Sequence, residues 1–525
     1  MPRDPSFVRF PRALRPLARG VGLHHTTTKA AVIHRFLLLD VGRPCTERRR
    51  AESERILRFQ PFLAEATVRA VPDTAAGGGV RIEVETVDEI PSIFGMRFRD
   101  ASPSALRIGN GNVDGQGIAL EVRGERGFAY RDGYGARLTA YQAFARPYTL
   151  AVVAGRTPLG SALSFDLGHA FITDLQRIAW HVGVRDVRGY ASFVRPAGEP
   201  LALAVRRRFA DVGGVVRLGV SGRSAFVGGL LTHERVEPGA VAVIISDTGL
   251  IADSTAPLGG PFSSVHNVRL NAVVGLRSVA FLEARGFDAL NAAQDVARGI
   301  QFGAVVGRGG SDLRVATDFY AGAGSATSFA ALRLEGEARH DREAHRWDAI
   351  VASGRMAWYV KPAPAYTVIA GAELSGGWRW RERIPFQLRL GDRQGGVRGY
   401  RHSRVAGAVR SVARLEARRV LGPLTRHVSL GLAGFVDAGR VWAGDAPFGV
   451  TSTPKAGVGV GLLAAIPPQS RRLWRLDVAV PVSADAHARW EVRLTVVRAS
   501  GFWQEPGDVA QARAGAAPAT IFTWP

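Results

Sequence analysis

Residues 473–482 read LWRLDVAVPV and residues 489–497 read RWEVRLTVV, and in both stretches the chemistry changes sides at every step. Leu476, Val478, Val480 and Val482 alternate with Arg475, Asp477, Ala479 and Pro481. Trp490, Val492, Leu494 and Val496 alternate with Arg489, Glu491, Arg493 and Thr495. Successive side chains of a strand point to opposite faces, so each stretch reads as a strand with one apolar face and one charged face. The pattern recurs upstream, with Ile118, Leu120 and Val122 against Ala119, Glu121 and Arg123. Leu313, Val315, Thr317 and Phe319 stand against Arg314, Ala316, Asp318 and Tyr320, and Leu332 and Leu334 against Arg333, Glu335, Glu337 and Arg339.

A soluble sandwich also alternates, so scale has to decide. The pattern runs for about 400 residues with no linker break between 100 and 500, whereas a soluble chain of that size divides into several cores. A membrane barrel needs this repeat in tilted strands of about 9–11 residues, apolar to lipid and polar to the lumen. Closure also satisfies every backbone donor and acceptor within the bilayer. The expected fold is a small α+β domain followed by a transmembrane antiparallel β-barrel. Sixteen strands, at about 25 residues for each strand and its connection, fit its length, and candidate segments number sixteen to twenty. Two long connections, 237–264 and 285–299, are expected at one end of the barrel.

Composition narrows the alternatives. No run of 18 apolar residues occurs, which excludes transmembrane helices. Glycine, at 62 of 525 residues, suits many tight turns. The lone Cys45 excludes an internal disulfide framework. The net charge of +22 is almost wholly arginine, lysine occurring only at 29, 361 and 455. The arginines are spread along the chain without a basic block, so they read as charged faces and not as a nucleic-acid site. No G-x-S-x-G, HExxH, CxxC or P-loop is present. The chain is therefore expected to be no enzyme, with no catalytic residue, cofactor or metal.

The first part of the chain reads differently. KAAVIHRFLLLDVG (29–42) sets Val32, Phe36 and Leu39 at helical spacing before Gly42. Thr46 caps a charged helix, TERRRAESERIL. Strands ATVRAV (66–71) and VRIEVET (80–86) follow, joined by the flexible PDTAAGGG. The expected division is an N-terminal segment 1–27, an α+β module 28–91, a barrel 92–503 and a C-terminal tail 504–525. SFVRF near residue 6 offers a further strand for the module. MPRDPSFVRFPRALRPLARG has the arginines of a secretory leader but no apolar core, and the expectation is either a leader already removed or further residues upstream of a misassigned start.

Near the C-terminus the residues become specific. IPFQLRLGDRQGGVRGY (384–400) is followed by VRSVARLEARR (409–419), GLAGFVDAGRVW (431–442), AGVGVGLLAAIP (456–467) and LWRLDVAVPV. This run resembles the barrel of the BamA/TamA-type outer-membrane assembly factors, also called bacterial surface antigen proteins. VRGY at 397–400 matches the family's (V/I)RG(F/Y) motif in the long sixth extracellular loop, and FVDAG at 435–439 matches its FxDxG element. Residues 28–95 are similar to a POTRA domain, the periplasmic repeat of these proteins.

The resemblance implies a sixteen-stranded barrel whose sixth loop folds into the lumen, its arginine paired with an acid of the wall. The loop-lock residues are then Val397, Arg398, Gly399, Tyr400 and Asp437. Strand parity independently turns Asp437 inward with Ser429, Gly431, Ala433 and Phe435, and turns Arg410, Arg414, Glu416 and Arg418 inward on the preceding strand. Three features depart from the family, the first being that no plug helix is evident ahead of the POTRA-like module. One POTRA-like module is visible where the insertase branch carries several and the two-partner secretion branch two, and about twenty residues follow GFW at 501–503.

The implied function is assembly or translocation of proteins at the cell outer membrane, with the N-terminal domain in the periplasm. Its expected partners are outer-membrane lipid and lipopolysaccharide, unfolded outer-membrane or secreted clients, and periplasmic accessory proteins. A passive outer-membrane pore or adhesin that keeps the barrel without insertase activity is the competing reading.

Overall fold

The alternating stretches form a large antiparallel sheet of about twenty strands among the described residues of a computed structural model. The structure describes residues 27–73, 79–99, 102–253, 258, 262–379, 386–392, 395–482, 490–498 and 506–512. The proposed strand near residue 6 and most of the 504–525 tail lie outside them. The chain divides into two compact units, one of residues 1–173 with 183–185, the other of 174–182 with 186–525.

Burial along the strands is inverted relative to a water-soluble sheet. In Arg472–Pro481, Trp474, Leu476, Val478 and Val480 are exposed, while Arg475, Asp477 and Ala479 are buried. In Val265–Arg285, Val268, Leu270, Val274 and Leu276 are exposed, while Asn267, Arg269, Asn271 and Arg277 are buried. The buried charges are matched. Arg269 bonds Glu234 at 2.6 Å and Asp312 at 2.6 Å, and Arg339 reaches Glu234 at 2.7 Å. Isolated ions could not be taken out of water so completely, and close opposite charges offset the loss.

In the first unit, Thr46 accepts the Arg49 N–H at 3.3 Å and caps the helix Glu47–Phe59. Ile56 and Leu57 pack with Val32, Phe36, Phe62, Leu63 and Val68 in one core, and the strands Leu63–Asp73 and Gly79–Asp88 pair antiparallel beside it. The helix expected over 29–42 is shorter, Ala30–His34. The Leu38 N–H is instead taken by the Ser53 hydroxyl at 2.8 Å, so the Leu37–Leu39 run packs on the core outside the helix. The module rests on strand ends of its own unit: Lys29 N donates to Gly115 O at 2.9 Å, and Gln142 Nε2 to Val32 O at 2.6 Å.

Two expectations change. The sheet has about twenty strands where sixteen were expected, because strands such as Ser92–Arg99, Ser102–Asn110 and Ile118–Glu125 are only eight or nine residues long. The two long connections do not share an end. Residues 237–246 extend the strand Arg223–Ser246, and only residues 286–292 remain of the second connection. A single strand, Val265–Arg285, lies between them, which puts them at opposite ends.

Candidate functional site

Between the strands Tyr366–Trp378 and Val409–Thr425 the chain turns back over the charged face of the sheet. Leu388–Arg389 pairs with Ala406–Gly407, which narrows the base of this loop. Leu390, Val397 and Tyr400 are buried with Val412 and Val441. Burying these apolar groups fixes the loop before any charge is considered.

The tip is held by charge. Arg398 Nε donates to Asp437 Oδ2 at 2.7 Å and Nη2 to Oδ1 at 2.8 Å, a bidentate pair. Its backbone N–H reaches the same carboxylate at 3.2 Å. Nη1 donates to Glu416 at 3.2 Å and lies 3.6 Å from Asp477. The guanidinium stacks 3.4 Å from the Phe435 ring centroid. Gly399, at φ +94°, donates to Glu491 at 2.8 Å, and the Tyr400 hydroxyl donates to Ala456 O at 3.1 Å.

Sequence shapes the seat of this tip. Asp437 is in register with Arg414 on one side and Gly457 on the other. A Cβ at Gly457 would collide with the Arg398 carbonyl, so the missing side chain leaves room for the loop backbone. Arg414 donates to Gly396 O at 3.0 Å, while its register partner Asp437 serves Arg398. Glu416 is a hub that accepts from Arg398, from Arg418 at 2.5 Å and from both arms of Arg475 at 2.9 Å.

Arg398, Asp437, Glu416 and Arg414 therefore meet at the tip, and Arg418 joins through Glu416. Arg410 does not; it bonds Glu373 at 2.8 Å and Asp508 at 2.6 Å, nearer the loop base. Phe435, Asp477, Arg475 and Glu491 also build the seat. Strand parity had turned all four to the charged face, but which of them converge depends on strand adjacency. A second connection covers the same face from the opposite end. Arg418 donates to the carbonyls of Phe287 and Asp288, the Tyr359 hydroxyl donates to Asp288 at 2.7 Å, and Leu290 packs among Ala433, Leu463 and Leu473. A cavity of about 410 Å³ remains, lined by Gly396 and Arg398 of the loop, Asp288 of the turn and Pro506 of the tail. No cluster of three or more potential metal ligands occurs among the described residues.

No protein-family model matches the chain, and no curated protein matches it in sequence. Among solved structures it is similar to BamA from Haemophilus ducreyi lacking POTRA domains 1–3, at 12% identity and a TM-score of 0.40, over 90% of this chain and 81% of that one. It is also similar to CdiB from Escherichia coli, at 12% identity and a TM-score of 0.45, over 89% of this chain and 74% of that one. CdiB from Acinetobacter baumannii matches at 12% identity and a TM-score of 0.40, over 90% and 72%.

Proposed function

We infer that this chain is an outer-membrane protein that assembles or translocates other proteins, its sheet closed into a barrel around the Arg398 loop. The observation that carries the reading is the inverted sheet. Long rows of exposed valine and leucine alternate with buried, paired arginine and carboxylate. Water would penalise such an apolar surface, and lipid would not. An open sheet edge in lipid leaves backbone groups without partners, which is the reason for closure.

In this reading residues 28–91 stand in the periplasm and receive unfolded outer-membrane or secreted clients by adding strands at a sheet edge, with periplasmic accessory proteins as further partners. Lipid and lipopolysaccharide surround the barrel. Val397, Arg398, Gly399 and Tyr400 hold the loop in the lumen against Asp437, Arg414 and Glu416, with Arg418 supporting Glu416. Barrel interiors are either a water-filled channel or occupied by loops. Here two connections from opposite ends cover the charged face, which favours a conduit that changes state.

Depletion of the protein in its host tests this. Loss of several other barrels from the outer membrane marks an insertase, and loss of one protein from the medium marks a secretion factor. An unchanged outer membrane and medium would leave the assembly reading without support.

A further inference from the structure

Residues 506–512 take no part in holding the Arg398 tip. Pro506 and the short helix Gly507–Ala512 are seated on the charged face, with the Ala510 N–H bonded to Pro506 O at 2.9 Å. Asp508 accepts from Arg410 Nη1 at 2.6 Å and from the Arg389 N–H at 3.2 Å. Arg410 is wholly buried, and its second arm reaches Glu373 at 2.8 Å. Val509 is equally buried, in one cluster with Val351 of the wall and Phe386 and Leu388 of the loop. Pro506 abuts Gly395, where an added Cβ would come within 2.7 Å of its ring.

The tail therefore joins loop to wall at a place separate from the Arg398 tip. Asp508 ties the loop backbone at Arg389 to the wall through Arg410, and Val509 fills the gap between Val351 and Leu388. Loss of Asp508 would leave the buried Arg410 guanidinium with Glu373 alone as carboxylate partner and the Arg389 N–H without its carboxylate, a costly state for a desolvated cation. Such a contact is either fully seated or released.

We propose that residues 506–512 are an intramolecular latch that holds the base of the inward loop and keeps the conduit closed. The proposal rests on the barrel reading above. The full chain would be purified and inserted into planar phospholipid bilayers beside a chain ending at residue 505, Asp508→Asn and, as a control at an exposed position, Ala510→Ser. Heat-modifiable mobility on gels reports barrel folding independently of the latch. Trypsin cleavage after Arg389, Arg401 or Arg404 reports release of the loop, and single-channel recording reports opening.

Truncation and Asp508→Asn should remain heat-modifiable while open-state occupancy and loop cleavage rise about tenfold, the scale expected when a bond to a charged group is lost. Ala510→Ser should match the parent. If the truncated chain fails to fold, Asp508→Asn alone decides, since its side chain keeps the shape of the original. Folded variants with parental conductance and cleavage would overturn the latch. A full chain that neither inserts nor shows heat-modifiable mobility would overturn the barrel reading and the latch with it.

Discussion

At the scale of single residues, Asp437 is contested. It accepts two guanidinium bonds from Arg398, yet it stands in register with Arg414, whose guanidinium donates to the loop carbonyl of Gly396. Removing one member of a buried pair typically costs about 3–5 kcal/mol because the other is stranded. Arg398→Ala should cost less here, since Arg414 can turn to Asp437 once the loop departs. Arg398→Ala with Arg414→Ala should then exceed the sum of the single changes, read as the unfolding temperature of the folded band on gels. Strict additivity would mean that Arg414 does not take over. Arg398→Ala and Asp437→Ala should combine to less than their sum, because each single change already breaks the same bidentate pair. Gly457→Ala tests the seat without touching a charge. The new methyl meets the Arg398 carbonyl, and overpacking of this kind costs about 1–3 kcal/mol, so protease cleavage of the loop should rise while the barrel remains folded.

At the scale of elements, the helix Glu47–Phe59 carries its own charge balance. Burial disfavours ionised Glu54, but the Val68 N–H at 2.9 Å and the cations of Arg58 and Arg50 outweigh it and hold the carboxyl below the usual range. A carboxyl lowered in the folded state adds stability above its unfolded pKa of about 4.3 and loses it as pH falls through the folded value. Hydrogen-exchange protection of amides 47–59 in the full chain should therefore weaken as pH drops below about 4. Glu54→Gln should flatten that dependence; an unchanged slope would remove Glu54 from the account. Thr46, the charged helix and the two strands after it were legible because capping and alternation are local signals. The early end of the first helix was not, since it depends on Ser53 capturing the Leu38 N–H from fifteen residues away. The seat of the tail was equally hidden, because Asp508 and Arg410 are 98 positions apart and no local pattern joins them.

At the scale of the whole molecule, alternation disclosed which side chains share a face, but not how many strands carry it. The strands around residues 92–125 are only eight or nine residues long, which an average strand-plus-connection length overlooks. Nor does alternation say which face meets water, because a soluble sheet alternates just as regularly. The sequence suggests the answer through the length of the pattern, and burial sharpens it: Leu476, Val478 and Val480 are about two-fifths exposed, while Arg475 and Asp477 are nearly covered. If the exposed face meets lipid, single cysteines at 476, 478 and 480, placed in a Cys45→Ser background, should react with a membrane-restricted thiol reagent. Cysteines at 475 and 477 should react only with a small water-soluble one after the loop is released by Arg398→Ala. The two sets sit on one strand, at the same depths, so differences in expression or depth cannot produce the contrast. Equal labelling of both sets by the membrane reagent would mean that the strand does not separate lipid from a polar interior. The outer-membrane reading would then fall, however well the loop is held.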